Sequence, residues 1–98
     1  MMQKFEWDED KNRTNIAKHG IDFEYASRIF NGFTLDREDT LFEYGETRVI
    51  SIGCVDGITV LVVVHTDRLG VWRIISARQA NMQERALYED VIQQTPDT

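Results

Sequence analysis

The sequence predicts a mixed fold of helix and antiparallel sheet, in one domain over residues 1–98. Three observations carry this reading. Ile58 to Val64 is a nearly continuous, valine-rich apolar run, which reads as a strand buried on both faces and is too short to span a membrane. Asp56-Gly57 joins it to the β-like run before it, a strong signal for a two-residue type I′ turn. On both sides of this hairpin, apolar residues recur at helical spacing behind N-cap residues.

In chain order, Phe5-Glu6-Trp7 alternates as a short first strand. Asp8 is placed to cap a helix that runs to His19, with Glu9 and Asp10 in its first turn, Lys18 and His19 in its last, and Gly20 beyond. Its apolar stripe is thin, essentially Ile16 and Ala17. Asp22 caps a second helix carrying Phe23, Ala26, Ile29 and Phe30, with Ile21 as a staple on Ala26 and Gly32 as the stop. Phe33 to Asp36 reads as a brief strand, and Arg37 to Glu46 as an exposed acidic loop or irregular hairpin. Arg48 to Val55, Ile58 to Thr66 and Val71 to Ser76 read as strands, the last following a turn at Asp67 to Gly70. Asn81 and Glu84 have capping-box spacing, opening a C-terminal helix with Leu87, Tyr88, Val91 and Ile92 as its stripe. Pro96 falls in a frayed tail.

The Asp56-Gly57 turn predicts a register in which 55 pairs with 58, and the later turn pairs 66 with 71. One face then carries Ile50, Ile52, Cys54, Leu61, Val63, Trp72 and Ile74, with Arg48 and His65 at one end, facing the helices. The other carries Val49, Ser51, Gly53, Val60, Val62, Val64, Val71, Arg73 and Ile75. Two helices and a third cannot cover both, so the second face is expected to meet a partner or ligand.

Composition narrows the classes. The chain is 42% hydrophobic with ten aromatics, enough for one modest core. Cys54 is the single cysteine, so no internal disulfide forms, and no metal-ligand spacing, Gly-rich phosphate loop or signal peptide is present; a cytosolic protein without a cofactor fits. The formal charge of −6 argues against a general nucleic-acid coat. It is uneven, however. Residues 1–46 hold 6 basic and 11 acidic groups, whereas Arg68 to Arg85 holds four arginines and one acid. That segment is either a solvated basic face or a phosphate site.

Three pieces carry a resemblance: F-E-W-D at Phe5 to Asp8, K-H-G-I-D-F-E at Lys18 to Glu24, and R-I-I-S-A-R-Q-A at Arg73 to Ala80 followed by Glu84, Arg85 and Tyr88. In this order and spacing the chain resembles the BrnT toxins, of the RelE-like superfamily of type II toxin–antitoxin systems. The resemblance covers nearly the whole chain. It implies a compact RelE-like α+β fold with an N-terminal helix pair beside an antiparallel sheet and a C-terminal helix. It also implies ribonuclease activity that arrests growth, and neutralisation by a BrnA-like antitoxin whose ribbon-helix-helix part binds operator DNA. The toxin would then meet DNA only through that complex, which can hold two copies of the chain.

RNA cleavage without a metal requires removal of the 2′-OH proton, stabilisation of charge on phosphorus and protonation of the leaving 5′-oxygen. Guanidiniums suit the second task. Arg68 and Arg78 match arginines of the family pattern and are the phosphate candidates; turn arginines are otherwise merely solvated. Arg73, with Arg85, is a candidate for RNA binding, and Arg73 equally for an ion pair. Lys18 and His19 match K-H-G, with His19 the titratable candidate; complementing the helix dipole is their structural alternative. Tyr88 is either a core residue with its hydroxyl at the rim or a proton-transfer group. His65, beside Trp72, reads as a packed core histidine. Val62, Val64 and Ile75 are the expected antitoxin or dimer contacts. The competing function is a non-catalytic toxin-like module that acts only within the repressing complex; the acidic charge favours it, and the arginine cluster favours the enzyme.

Overall fold

A computed structural model of the protein describes residues 3–39 and 45–94. Its strands are β1 (Lys4–Glu6), β2 (Thr34–Glu38), β3 (Val49–Val55), β4 (Thr59–Arg68) and β5 (Val71–Gln79). Its helices are α1 (Glu9–His19), α2 (Phe23–Ser27), continued by a 3₁₀ turn over Arg28–Asn31, and α3 (Met82–Gln94). The sheet order is β1-β5-β4-β3-β2. All pairs are antiparallel except β1 with β5, which is parallel, so the sheet is mixed and not purely antiparallel as the sequence suggested. Among the described residues no helix is long and apolar enough to cross a membrane.

The local signals held. Asp8 accepts from the amides of Asp10 and Lys11, and Gly20 closes α1 in the left-handed region at φ 72°. Asp22 caps α2, and Asn81 and Glu84 complete a reciprocal capping box at 2.8 and 2.9 Å. Arg37 and Glu38, expected in a loop or irregular hairpin, extend β2 into an antiparallel pair with β3; most of the rest of that acidic stretch, and Pro96, lie outside the described residues.

The registers differ from the sequence reading. Val55 pairs with Thr59 rather than with residue 58, because Ile58 is an extra residue turned out to 76% exposure. Leu61 and Val63 face the helices as expected, but Ile50, Ile52 and Cys54 face the opposite way, and Ser51, Gly53 and Val55 point inward. The cause is the closeness of the helical layer. A Cβ on Gly53 would stand 2.7 Å from the Ile29 Cβ, so only small residues fit on β3 there. At the other hairpin the turn is Leu69-Gly70, both with positive φ, and β4 continues to Arg68, opposite Val71. The register then shifts at Val64/His65, leaving Ile75 as a bulge on β5. Trp72 and Ile74 still face the helices.

The core joins Ile21, Phe23, Ala26 and Ile29 to Val55, Leu61, Val63, Ile74 and Ala77. At its end Phe5, Phe30, Trp72 and His65 form an aromatic cluster, with the His65 and Trp72 rings stacked at 5.0 Å. His65 is 5% exposed and bonds Ser51 Oγ at 2.8 Å, and that hydroxyl donates to Asp36. Burial lowers the His65 pKa, partly offset by Asp36.

α1 packs differently from expectation. Ile16 and Ala17 are exposed, and the inward stripe is Asn12 and Asn15. Asn12 Oδ1 accepts from the Phe23 amide. Asn15 donates to the carbonyls of Ala77 and Ile21 at 2.8 and 2.9 Å and accepts from the Ala77 amide at 3.1 Å. β1 covers β5 only as far as Arg73, so the Asn15 amide takes the place of a missing strand at Ala77.

α3 lies on the sheet face opposite the other helices. Val62 is 3% exposed and Val60 6%, so the chain itself covers most of what was expected to be an open interface, which corrects Val62 as a partner contact. Of the expected α3 stripe only Tyr88 is buried; Leu87 and Ile92 are 54% and 44% exposed.

Candidate functional site

Cross-strand partners share a face, so the ladders sort the side chains. On the α3 side Arg78, Val62, Ile52 and Leu35 form one row, and Ser76, Val64, Ile50 and Arg37 the next. Arg73 and Thr66 begin a third. Arg48 extends it, because the Asp39 amide bonds the Arg48 carbonyl and carries the β2–β3 ladder one step past its end. Arg68 follows Thr66 by two residues on the same side. All five arginines on or next to these strands thus lie on the α3 face. Arg48, expected on the helix-facing side, lies on the other because the β3 register is shifted by one residue, and Arg37 was not singled out in the sequence, because a two-residue alternation shows as a common face only when the register is known.

Each sequence-predicted arginine holds a carboxylate. Arg68 pairs with Glu46 and Arg73 with Glu6, both at 3.3 Å. Arg78 donates through both Nη atoms to Glu84 at 2.8 Å, a bidentate pair that also joins the capping box. These hydrogen bonds depress the Glu84 pKa to about 2 and raise that of Arg78. Arg85 pairs with Glu89 at 3.8 Å.

Lys18 and His19 line a cleft of about 310 Å³ between α1 and β5, with Asp10, Asn15, Ile75 and Ser76 among its walls. The bulge at Ile75 and the end of β1 at Arg73 open this edge. Ser76 lies between Arg73 and Arg78 along β5, so the structure brings the Lys18–His19 pair to the strand that carries those two arginines. Arg68 is not part of this group. It sits opposite Val71, seven residues from Arg78 along β5, or roughly 20 Å at strand rise. One phosphate cannot touch both. Ile75, expected at a protein interface, lines this cleft.

Tyr88 and Arg85 line a different cavity of about 460 Å³, with Phe33, Cys54, Ile58 and Ile92. The Tyr88 hydroxyl donates to the Phe33 carbonyl at 2.9 Å, and burial raises its pKa. The two cavities share no residue. Tyr88 therefore has the anchoring geometry of its structural reading.

A cationic face with a histidine and a lysine at its open edge can bind phosphates and move protons. No curated protein matches the chain. The crystal structure of the Brucella abortus ribonuclease toxin BrnT is similar, with a TM-score of 0.61 and 27% identity, covering 83% of this chain and 100% of that one. Residues 7–84 match the family described as "Ribonuclease toxin, BrnT, of type II toxin-antitoxin system". With that match extending from Trp7 to Glu84, the chain belongs to the BrnT family of ribonuclease toxins.

Proposed function

We propose that the protein is a RelE-like, metal-independent endoribonuclease toxin that arrests growth and is neutralised by a BrnA-like ribbon-helix-helix antitoxin. The observation that carries this reading is the Lys18–His19 cleft opening at the β5 bulge between Arg73 and Arg78. His19 takes the 2′-OH proton, and the 2′-oxygen attacks phosphorus. The bond to the 5′-oxygen breaks, leaving a 2′,3′-cyclic phosphate, and Lys18 or protonated His19 returns a proton to the departing 5′-oxygen. Arg78 and Arg73 carry the developing charge once phosphate replaces their glutamates. Arg68 and Arg85 act farther along the strand of RNA, and Tyr88 supports the site through α3.

The antitoxin takes the apolar strip left beside α3. Val64 is half-buried, and a groove of about 200 Å³ holds Leu35, Ile50, Ile52, Leu87 and Val91. A partner seated there lies against the arginine face and blocks RNA. Operator DNA is reached through the antitoxin, in an assembly that can pair two toxins. One observation favours the non-catalytic alternative: Arg68, Arg73, Arg78 and Arg85 are all held by carboxylates. Cleavage by purified protein in EDTA separates the readings. An arginine that stabilises the transition state contributes about 2–4 kcal/mol, so Arg78→Ala is expected to slow cleavage roughly 10²–10³-fold and relieve growth arrest. Loss of activity in EDTA, or an Arg78→Ala rate equal to wild type, refutes the assignment; no cleavage by the wild type supports the binding module.

A further inference from the structure

The arginines of the α3 face extend beyond the predicted site. Arg73 and Arg48 flank Thr66 on its two sides, roughly 10 Å apart across two strand spacings. Arg68 lies two residues past Thr66 on β4, and Arg37 lies on β2 beside Ile50, two residues along from Arg48. Each of these steps is about 8–10 Å between Cα atoms. The opposite face of the sheet, which the first two helices cover, carries no arginine from the described strands. Asp36, Glu38 and Asp67 alternate toward it, as do the rings of Phe5, His65 and Trp72. The arginines share their face with carboxylates, Glu6 beside Arg73, Asp39 beside Arg48 and Glu84 on Arg78, so an anionic chain binds there by taking the place of those partners.

We propose that Arg37 and Arg48 extend the arginine set into a phosphate track crossing the sheet from β5 to β2, which holds several consecutive nucleotides of one single-stranded RNA. The proposal rests on the ribonuclease reading above and adds its substrate class and two binding residues. The track starts at the Lys18–His19 cleft, passes Arg73, Arg68 and Arg48, and ends at Arg37. Ile50 and Val64 form an apolar floor beside it on which unstacked bases rest. α3 stands as a ridge over the adjacent row, leaving beside it a strip that runs about 14 Å across four strands. A flexible strand follows that strip, whereas a rigid duplex rides on the ridge. Among the described residues no aromatic ring of the sheet lies on this face, so phosphates supply the affinity and base preference is weak.

The test is fluorescence anisotropy with a 2′-O-methyl oligonucleotide, which binds without being cleaved, over 50–300 mM salt. Each lost phosphate contact lowers the log–log salt slope by about 0.7 for a single strand. Arg37→Gln and Arg48→Gln are each expected to lower it by that amount, and the double variant by about twice as much. Arg48 is half-buried, so Arg48→Lys serves as the control for folding and is expected to keep the slope. A duplex of equal length is expected to bind more weakly. Unchanged slopes in Arg37→Gln and Arg48→Gln, with a reduced slope in Arg73→Gln, overturn the track and leave the ribonuclease reading standing. Equal binding of duplex overturns the single-strand assignment. Absence of salt-dependent binding by the wild type removes the ribonuclease reading itself.

Discussion

Replacing Asn15 with alanine tests how α1 is held to the sheet, and with it how the Lys18–His19 cleft keeps its shape. The asparagine is 6% exposed and makes three hydrogen bonds, of 2.8, 2.9 and 3.1 Å, to Ala77 and Ile21. At about 1 kcal/mol net for each bond, the loss is about 3 kcal/mol. Ala77 is fully buried, so its orphaned amide and carbonyl raise that cost, while water entering from the adjoining cleft lowers it. The expected destabilisation is about 2–4 kcal/mol, a large share of the 5–15 kcal/mol typical of a domain. In Tm this is roughly 10–30 °C for a chain of this size. Asn15→Asp is expected to be at least as damaging, because a carboxylate keeps one acceptor contact but faces two carbonyls. Asn12→Ala, which removes a single bond to the Phe23 amide, is expected to cost about 1–2 kcal/mol. Urea unfolding followed by circular dichroism ranks the three variants. An Asn15→Ala stability within 0.5 kcal/mol of wild type, or an Asn12→Ala loss that exceeds it, would refute the strand-substitute account.

Three other outcomes are expected. Gly53→Ala places a Cβ 2.7 Å from Ile29 and 3.0 Å from Thr34, so thermal unfolding should show a loss of about 1–3 kcal/mol from overpacking. The His65 pKa lies below 6.5 in the folded state, so the unfolded chain binds more protons there; its contribution is complete above pH 6.5 and fades as pH falls through and below that value. His65→Gln should flatten stability between pH 7.5 and 5, whereas the Glu84 contribution, complete above 4.5 and lost toward about 2, should persist in that variant. Val62→Glu buries a carboxylate under α3, where the neighbouring Arg78 is already held by Glu84, and should lower the melting temperature of the isolated protein, with Val64→Glu doing so less; equal, small effects would show that α3 does not cover Val62.

What the sequence determined by itself was local. Asp8, Asp22 and the Asn81–Glu84 pair start their helices because a capping bond spans two or three residues, and Gly20 stops α1 because only the backbone at that residue must turn left-handed. The burial of β4 on both faces was legible too, because its apolar run from Val60 to Val64 is unbroken. The K-H-G and R-I-I-S-A-R-Q-A pieces pointed to the family without any geometry. Tertiary structure decided the rest. The side of β3 that faces inward depended on the close approach of Ile29 to Gly53, which overrode the two-residue turn by one position. The Ile75 bulge, which opens the cleft, has no sequence signal, since it arises from fitting two hairpins and a short β1 to one sheet. Asn15 reads as a polar helix residue until Ala77, 62 residues away, presents an uncovered strand edge. The partners of Arg73 and Arg68 lie 67 and 22 residues away, so a segment that counts as a basic cluster along the chain is a set of ion pairs in space. Contacts at that separation are set by the packing of the whole sheet, and no local pattern of residue types encodes them.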